Sequence, residues 1–275
     1  MPPETATLRT LDSLKDLTRL VQTAEGFHPL VASLKNGHGA TVDGAWGSSS
    51  ALVAAALGLH APRTLLVVIP FPRDLDGWTE DLASFSGARP VVFPAWDNLP
   101  GESTVLDEVA GQRLRVLKQL ESAEPPRYLL TTFQALIQPV PDRAQLAQRR
   151  RVLRVGEQID PDVLAGWLVD MGYKRTEVVE LPGEFSRRGG VMDIFSPDIE
   201  TPYRLDFFGD EIESIRHFSQ HNQRSIGDPL PSAELTGATL EQPGVNGNGK
   251  TTAAGLAFTG HLCDYLAADA WTLLV

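Results

Sequence analysis

The sequence predicts an α/β protein: a parallel sheet covered by helices, followed by a small α+β module. Three observations predict it. Continuous apolar runs such as "TLLVVIPF" suit buried parallel strands, and they alternate with helical spacing. A glycine-rich turn precedes the first such run and leads into an alanine-rich helix, in the place of a phosphate-binding loop. After about residue 149 the pattern changes to short strand-like runs separated by turn signals.

The turn is "DGAWGSSSALVAAALG", with Gly44 and Gly47 opening the helix. A working loop ends Gly-Lys-Ser/Thr, because the ammonium reaches the terminal phosphates and the hydroxyl holds magnesium. Ser49, Ser50 and Ala51 stand there instead. Ser50 has no charge and Ala51 has no oxygen for a metal, so the loop should not support ATP hydrolysis. The plainer reading is a glycine turn capped by serine at the start of a core helix.

Strands are expected at Thr64–Phe71, in "PVVFPAW" and in "RYLLTTF". Between them, Leu75, Trp78, Leu82 and Phe85 have helical spacing. So do Val105, Val109, Leu114, Leu117 and Leu120 in "TVLDEVAGQRLRVLKQLES". Alternating strands and helices argue for a parallel sheet covered on both faces. Asp107-Glu108 resembles a magnesium-holding acidic pair, but it follows "PGEST" rather than a buried strand and reads as a solvated helix start. "GVNGNGKTT", from Gly244, spells a phosphate-binding loop with Lys250 and Thr251 in the working places. The polar, proline-ended "ATLEQP" before it is a poor strand, so an Asn/Gly linker is the preferred reading.

The second region starts with the alternating "RRRVLRVGEQI". Asp160 caps a helix, Pro161 occupies its first turn and Gly172 stops it. Strand-like runs follow in "KRTEVVEL", "GGVMDIFSP", "TPYRLDFF" and "EIESIRHFS", with Gly209-Asp210 as a hairpin turn. In "TPYRLDFF", period two puts Tyr203, Leu205 and Phe207 on one face and Arg204, Asp206 and Phe208 on the other. The first set suits a core. The second leaves a phenylalanine beside an arginine on the open face, and "FSRRGG" is expected to lift Arg187 and Arg188 on a loop. Arginine with an aromatic is the composition of an interface anchor. The alternative is that another domain covers Phe208 and the arginines are solvated.

The bulk properties narrow the function classes. The chain has 275 residues, 42% of them hydrophobic and 21% charged, enough for about two domains. Its net charge of −11 makes it a poor candidate for coating nucleic acid, which needs clustered Lys and Arg. One cysteine, Cys263, excludes a disulfide framework within the chain. No apolar signal core opens the sequence, and "ALVAAALGLHA" is too short to span a bilayer, so a cytoplasmic protein is expected. "AWTLLV" reads as a buried strand at the last residue, and a longer natural chain is expected.

The strings "FPAWDNLPGES", "QRLRVLKQL", "GYKRTEVVELPGEFSRRGGVMDIFSP" and "PYRLDFFGDEIESIRHFSQHNQRS" carry a resemblance. From about Thr64 to Ile226 the chain resembles the N-terminal part of the bacterial transcription-repair coupling factors, the Mfd family. That part is itself similar to the front of the excinuclease subunit UvrB. UvrB keeps a live phosphate-binding loop and a tyrosine-rich hairpin; this sequence has neither, which favours the coupling factors. The resemblance implies a degenerate RecA/helicase-like domain over 1–145 and an inserted UvrA-interaction domain over 146–226. It also implies a linker and returning segment over 227–275 that complete the first domain. By motif, Arg188 of "RRG", Arg204 of "PYRL" and Phe208 of "LDFF" match the family's UvrA-contacting residues; Arg187 could replace Arg188. The implied partners are UvrA and downstream domains of the same chain, with RNA polymerase and DNA reached through the parent protein. No cofactor is implied here; ATP and magnesium belong to a downstream motor.

Overall fold

A computed structural model describes residues 13–96, 108–238 and 258–275. The chain divides into two compact units. One comprises Met1–Ala95, Gln119–Leu136 and Leu266–Val275; the other comprises Trp96–Lys118 and Ile137–Tyr265. This departs from a boundary at residue 145, because the segment carrying most of helix Glu108–Leu120 packs with the second unit.

The first unit is built on a four-stranded sheet in the order Trp271–Leu274, Leu65–Ile69, Tyr128–Thr132, Val91–Phe93. Every pairing is parallel. Leu65–Ile69 and Tyr128–Thr132 are buried along their whole length, as apolar runs flanked by strands on both sides should be. The last strand pairs with Leu65–Ile69 from more than 200 positions away in sequence, Leu65 opposite Trp271.

Helix Ser48–Gly58 lies against this sheet, and its composition follows from how closely it approaches. Ala51, Ala54, Ala55, Ala56 and Leu57 are buried. A Cβ on Gly58 would lie 2.0 Å from the Tyr128 ring. The Tyr128 hydroxyl donates to the Ala55 carbonyl at 2.9 Å. Two helices absent from the sequence expectations, Lys15–Gln22 and Phe27–Lys35, also pack in this unit through Leu17, Val21, Phe27 and Val31.

The glycine turn precedes helix Ser48–Gly58 as expected, with Gly44 at φ 82° and Gly47 at φ 54°. Residues 38–46 carry no strand, so the turn does not leave a buried strand as a phosphate-binding loop would. Ser49 is committed locally: its Oγ accepts from the Trp46 N–H at 2.7 Å and donates to the Trp46 carbonyl at 2.8 Å. Asp107 and the Gly244–Thr251 loop with Lys250 lie outside the described residues; Glu108 opens the helix Glu108–Leu120.

The second unit holds a six-stranded sheet in the order Ser225–Ile226, Glu211–Phe218, Tyr203–Phe208, Val191–Ile194, Glu184–Arg188, Lys174–Arg175. All its pairings are antiparallel except the last. A separate antiparallel ladder joins Arg150–Arg154 to Ser232–Thr236. Helix Pro161–Asp170 is capped by Asp160, whose side chain accepts from the Asp162 N–H, and Gly172 follows it at φ 90°. Leu164 and Leu168 from this helix meet Phe185, Met192, Ile194, Leu205 and Ile215 in one core.

Two local expectations are corrected. "KRTEVVEL" forms a strand only at Lys174–Arg175. Beyond it the chain turns, and the Glu180 and Leu181 N–H groups donate to the Glu184 carboxylate. "FSRR" is not a loop: Glu184–Arg188 is a strand, and the turn is Gly189-Gly190. A Cβ on Gly190 would meet the Phe207 carbonyl at 2.8 Å, so this tight approach requires glycine.

Candidate interaction face

The six-stranded sheet has one face on the core and one turned away from it. Cross-strand register places Ser186, Asp193, Arg204 and Arg216 in one row of the outer face. Alternation along Tyr203–Phe208 sends Leu205 and Phe207 inward, where they join the core. A register shift after Asp206 adds a residue on the facing strand, so alternation on this one continues to its end. Phe208 therefore stays on the outer side, 80% exposed, beside the hairpin turn at Gly209.

Arg204 is the most constrained residue of this face. Its Nε donates to Asp193 Oδ1 at 2.6 Å and its Nη2 to Oδ2 at 2.8 Å. Its Nη1 donates to the Gln223 carbonyl at 2.9 Å. The guanidinium lies 4.9 Å from the centre of the Phe218 ring. The hydrogen bonds to Asp193 outweigh partial burial and hold the guanidinium pKa above its ordinary value. The Asp193 side chain is only 2% exposed. It is an anion inside a strand that otherwise reads Val-Met-Ile, and its cation comes from the neighbouring strand. Free, solvated behaviour of Arg204 is thereby corrected: removing it would strand a buried carboxylate.

Arg188 reaches the same carboxylate more loosely, Nη2 to Asp193 Oδ2 at 3.9 Å, with its side chain 56% exposed. Arg187 points to the other side of the strand and pairs with Asp162 of the helix. Of the two adjacent arginines, only Arg188 is on the outer face.

The structure thus brings Arg188 and Arg204 to one buried carboxylate and places exposed Phe208 farther along the same face as Arg204. Sequence reasoning missed Asp193. Its signal was an acidic residue between two apolar ones in "VMDI", opposite an arginine once the strands are registered. Gln223 gave no signal.

The second unit thus presents a mostly antiparallel sheet with helix Pro161–Asp170 on its core face and arginines and an exposed phenylalanine on the other. Residues 152–239 match the family model of the UvrB interaction domain. Beyond that segment, the chain is similar to proteins named transcription-repair-coupling factor. It is 36% identical to that of Mycobacterium bovis over 187 residues, which is 65% of this chain and 15% of the relative. The Bacillus subtilis protein is 29% identical over 216 residues, 78% of this chain and 18% of the relative. The Myxococcus xanthus protein is 34% identical over 222 residues, 77% of this chain and 18% of the relative. The resemblance to the coupling factors read from the sequence is shown by these matches. The chain spans between 15% and 18% of the length of these relatives. No helix among the described residues is long and apolar enough to cross a membrane.

Proposed function

We propose that the chain is a non-catalytic recruitment module that binds UvrA through the outer face of the second unit and so serves nucleotide excision repair. The exposed Phe208 carries the reading: a large apolar side chain left 80% in water on the same sheet face as a fixed arginine is the composition of an interface anchor. The family match and the named relatives support it. Arg188, Arg204 and Phe208 are the contacting residues. Arg188 and Phe208 are open to a partner, and Arg204 is held from below.

The first unit serves as a scaffold with the ancestry of a RecA/helicase-like domain, without nucleotide or metal as cofactor. Ser50 and Ala51 at the helix start support this, Ala51 being buried. In a protein of the relatives' length, ATP hydrolysis, DNA and RNA polymerase belong to other domains, and UvrA is delivered to stalled polymerase. Retention of UvrA by this chain, with and without nucleotide, tests the reading. Stable capture is expected. Failure of UvrA at micromolar concentration to bind a folded chain would overturn it.

A further inference from the structure

Gln223 is the only non-glycine among the described residues with positive φ, at 57°. Its N–H donates to the Ser219 carbonyl at 2.8 Å and its Nε2 to the Gln220 carbonyl at 2.8 Å. The Ser219 N–H closes the turn on the Arg224 carbonyl at 2.9 Å. The Gln223 Oε1 is buried and finds no hydrogen-bond partner among the described residues. Left-handed backbone at a residue bearing a Cβ, with an unpaired acceptor, is a conformation that local stability does not favour. Its product is one carbonyl aimed at Arg204 Nη1.

The bonds to Arg204 divide its donors in a definite way. Asp193 takes the Nε side of the guanidinium, through Nε and Nη2. Gln223 takes one Nη1 hydrogen. Of five N–H donors, three are committed, which leaves one N–H on each of Nη1 and Nη2 of a side chain that is 17% exposed. Charged N–H donors on two terminal nitrogens suit the two oxygens of a carboxylate. We propose that Asp193 and Gln223 are positioning residues of the docking face. They freeze the guanidinium plane so that its remaining N–H donors are offered, already ordered, to a carboxylate of the docking partner. Ordering Arg204 before the encounter removes an entropic cost from binding. The inference rests on the UvrA reading above and adds to it the residues that orient the arginine and the chemistry it selects.

The test uses the whole chain with purified UvrA, together with the NMR signal of the Arg204 Nε–H in the chain alone. Gln223→Gly keeps the carbonyl and accepts positive φ. It should bind UvrA like the parent and keep a slowly exchanging Nε–H. Gln223→Val resists positive φ and should lower affinity about tenfold, the worth of a charge-assisted hydrogen bond. It should also broaden or lose the Nε–H signal. Asp193→Asn should do the same, and a double variant of Gln223→Val with Arg204→Lys should lose little beyond Arg204→Lys alone. The proposal is overturned if Gln223→Val binds normally well below its melting temperature, or if its Nε–H stays protected. Phe208→Ala separates this from failure of the UvrA reading. If it too binds normally, this face is not where UvrA docks, and the Nε–H signal alone decides whether the clamp exists.

Discussion

Lys118 provides a test of how the second unit is held together. Its Nζ lies 3.0 Å from Asp198 Oδ2 and 3.2 Å from Glu234 Oε2. Asp198 is almost fully buried, its side chain 1% exposed. Ser196 Oγ donates to its Oδ1 at 2.5 Å and Thr236 Oγ1 to its Oδ2 at 2.9 Å. Tyr173 joins through its hydroxyl, 3.2 Å from Ser196 Oγ and donating to the Thr236 carbonyl at 2.6 Å. Replacing Lys118 by Met keeps most of the volume and leaves a buried carboxylate with two hydroxyl donors and no cation. Breaking a fully buried ion pair from one side costs about 3–5 kcal/mol. The Lys118 side chain is 27% exposed, so water screens part of the loss, and about 2 kcal/mol is the expected cost. For a chain of this size that corresponds to a fall in melting temperature of roughly 4–8 °C. Urea denaturation followed by tryptophan fluorescence measures it. A double-mutant cycle with Asp198→Asn should show the two substitutions to be strongly non-additive. A Lys118→Met midpoint indistinguishable from the parent would refute the reasoning. Ser196 and Thr236 would then suffice for Asp198, and the helix Glu108–Leu120 would not need its ion pair.

Gly58→Ala places a methyl 2.0 Å from the Tyr128 ring and should destabilise the chain by about 1–3 kcal/mol; an unchanged thermal midpoint would show the helix can back away from the sheet. Stability should also fall in alkali. Burial pushes the Tyr173 hydroxyl well above its ordinary value of 10.0 and raises Tyr128 and Tyr203 too. An acid whose folded pKa is raised contributes fully below the unfolded value and loses its contribution as pH rises above it, so the urea midpoint should fall progressively as pH rises above about 10. The drop should be smaller in Tyr173→Phe, and an equal drop in both would remove Tyr173 from the account. Finally, the chain should neither bind nor turn over ATP; turnover abolished by Lys250→Ala would make the Gly244 loop a site.

Local chemistry was legible in the sequence; long-range pairing was not. The Asp160 cap, the Gly172 stop and the Gly209 hairpin are written in single residues with fixed backbone preferences, and each is where the sequence puts it. Period two separated core Phe207 from exposed Phe208 because side chains in a strand must alternate. The Glu184–Arg188 strand was hidden, because two arginines before two glycines look like a loop. Only pairing with Val191–Ile194 makes them a ladder. Likewise Ser232–Thr236 has no partner within local range; it pairs with Arg150–Arg154, some 80 residues earlier. Arg204 was correctly placed on the outer face, but its exposure was not foreseeable. That depends on Asp193 across the sheet and on the Gln223 carbonyl, whose conformation no composition rule announces.

The most direct measurement is the affinity of UvrA for the Phe208→Ala chain, alongside its melting temperature. Phe208 is 80% exposed, so truncation should change folding stability by no more than about 0.5 kcal/mol. As an anchor buried only in the complex, it should cost about 2 kcal/mol of binding, roughly thirtyfold in affinity. Phe207→Ala should do the opposite, lowering the melting temperature as a core truncation does. Normal UvrA affinity in a folded Phe208→Ala chain would contradict the assignment of this face as the docking surface.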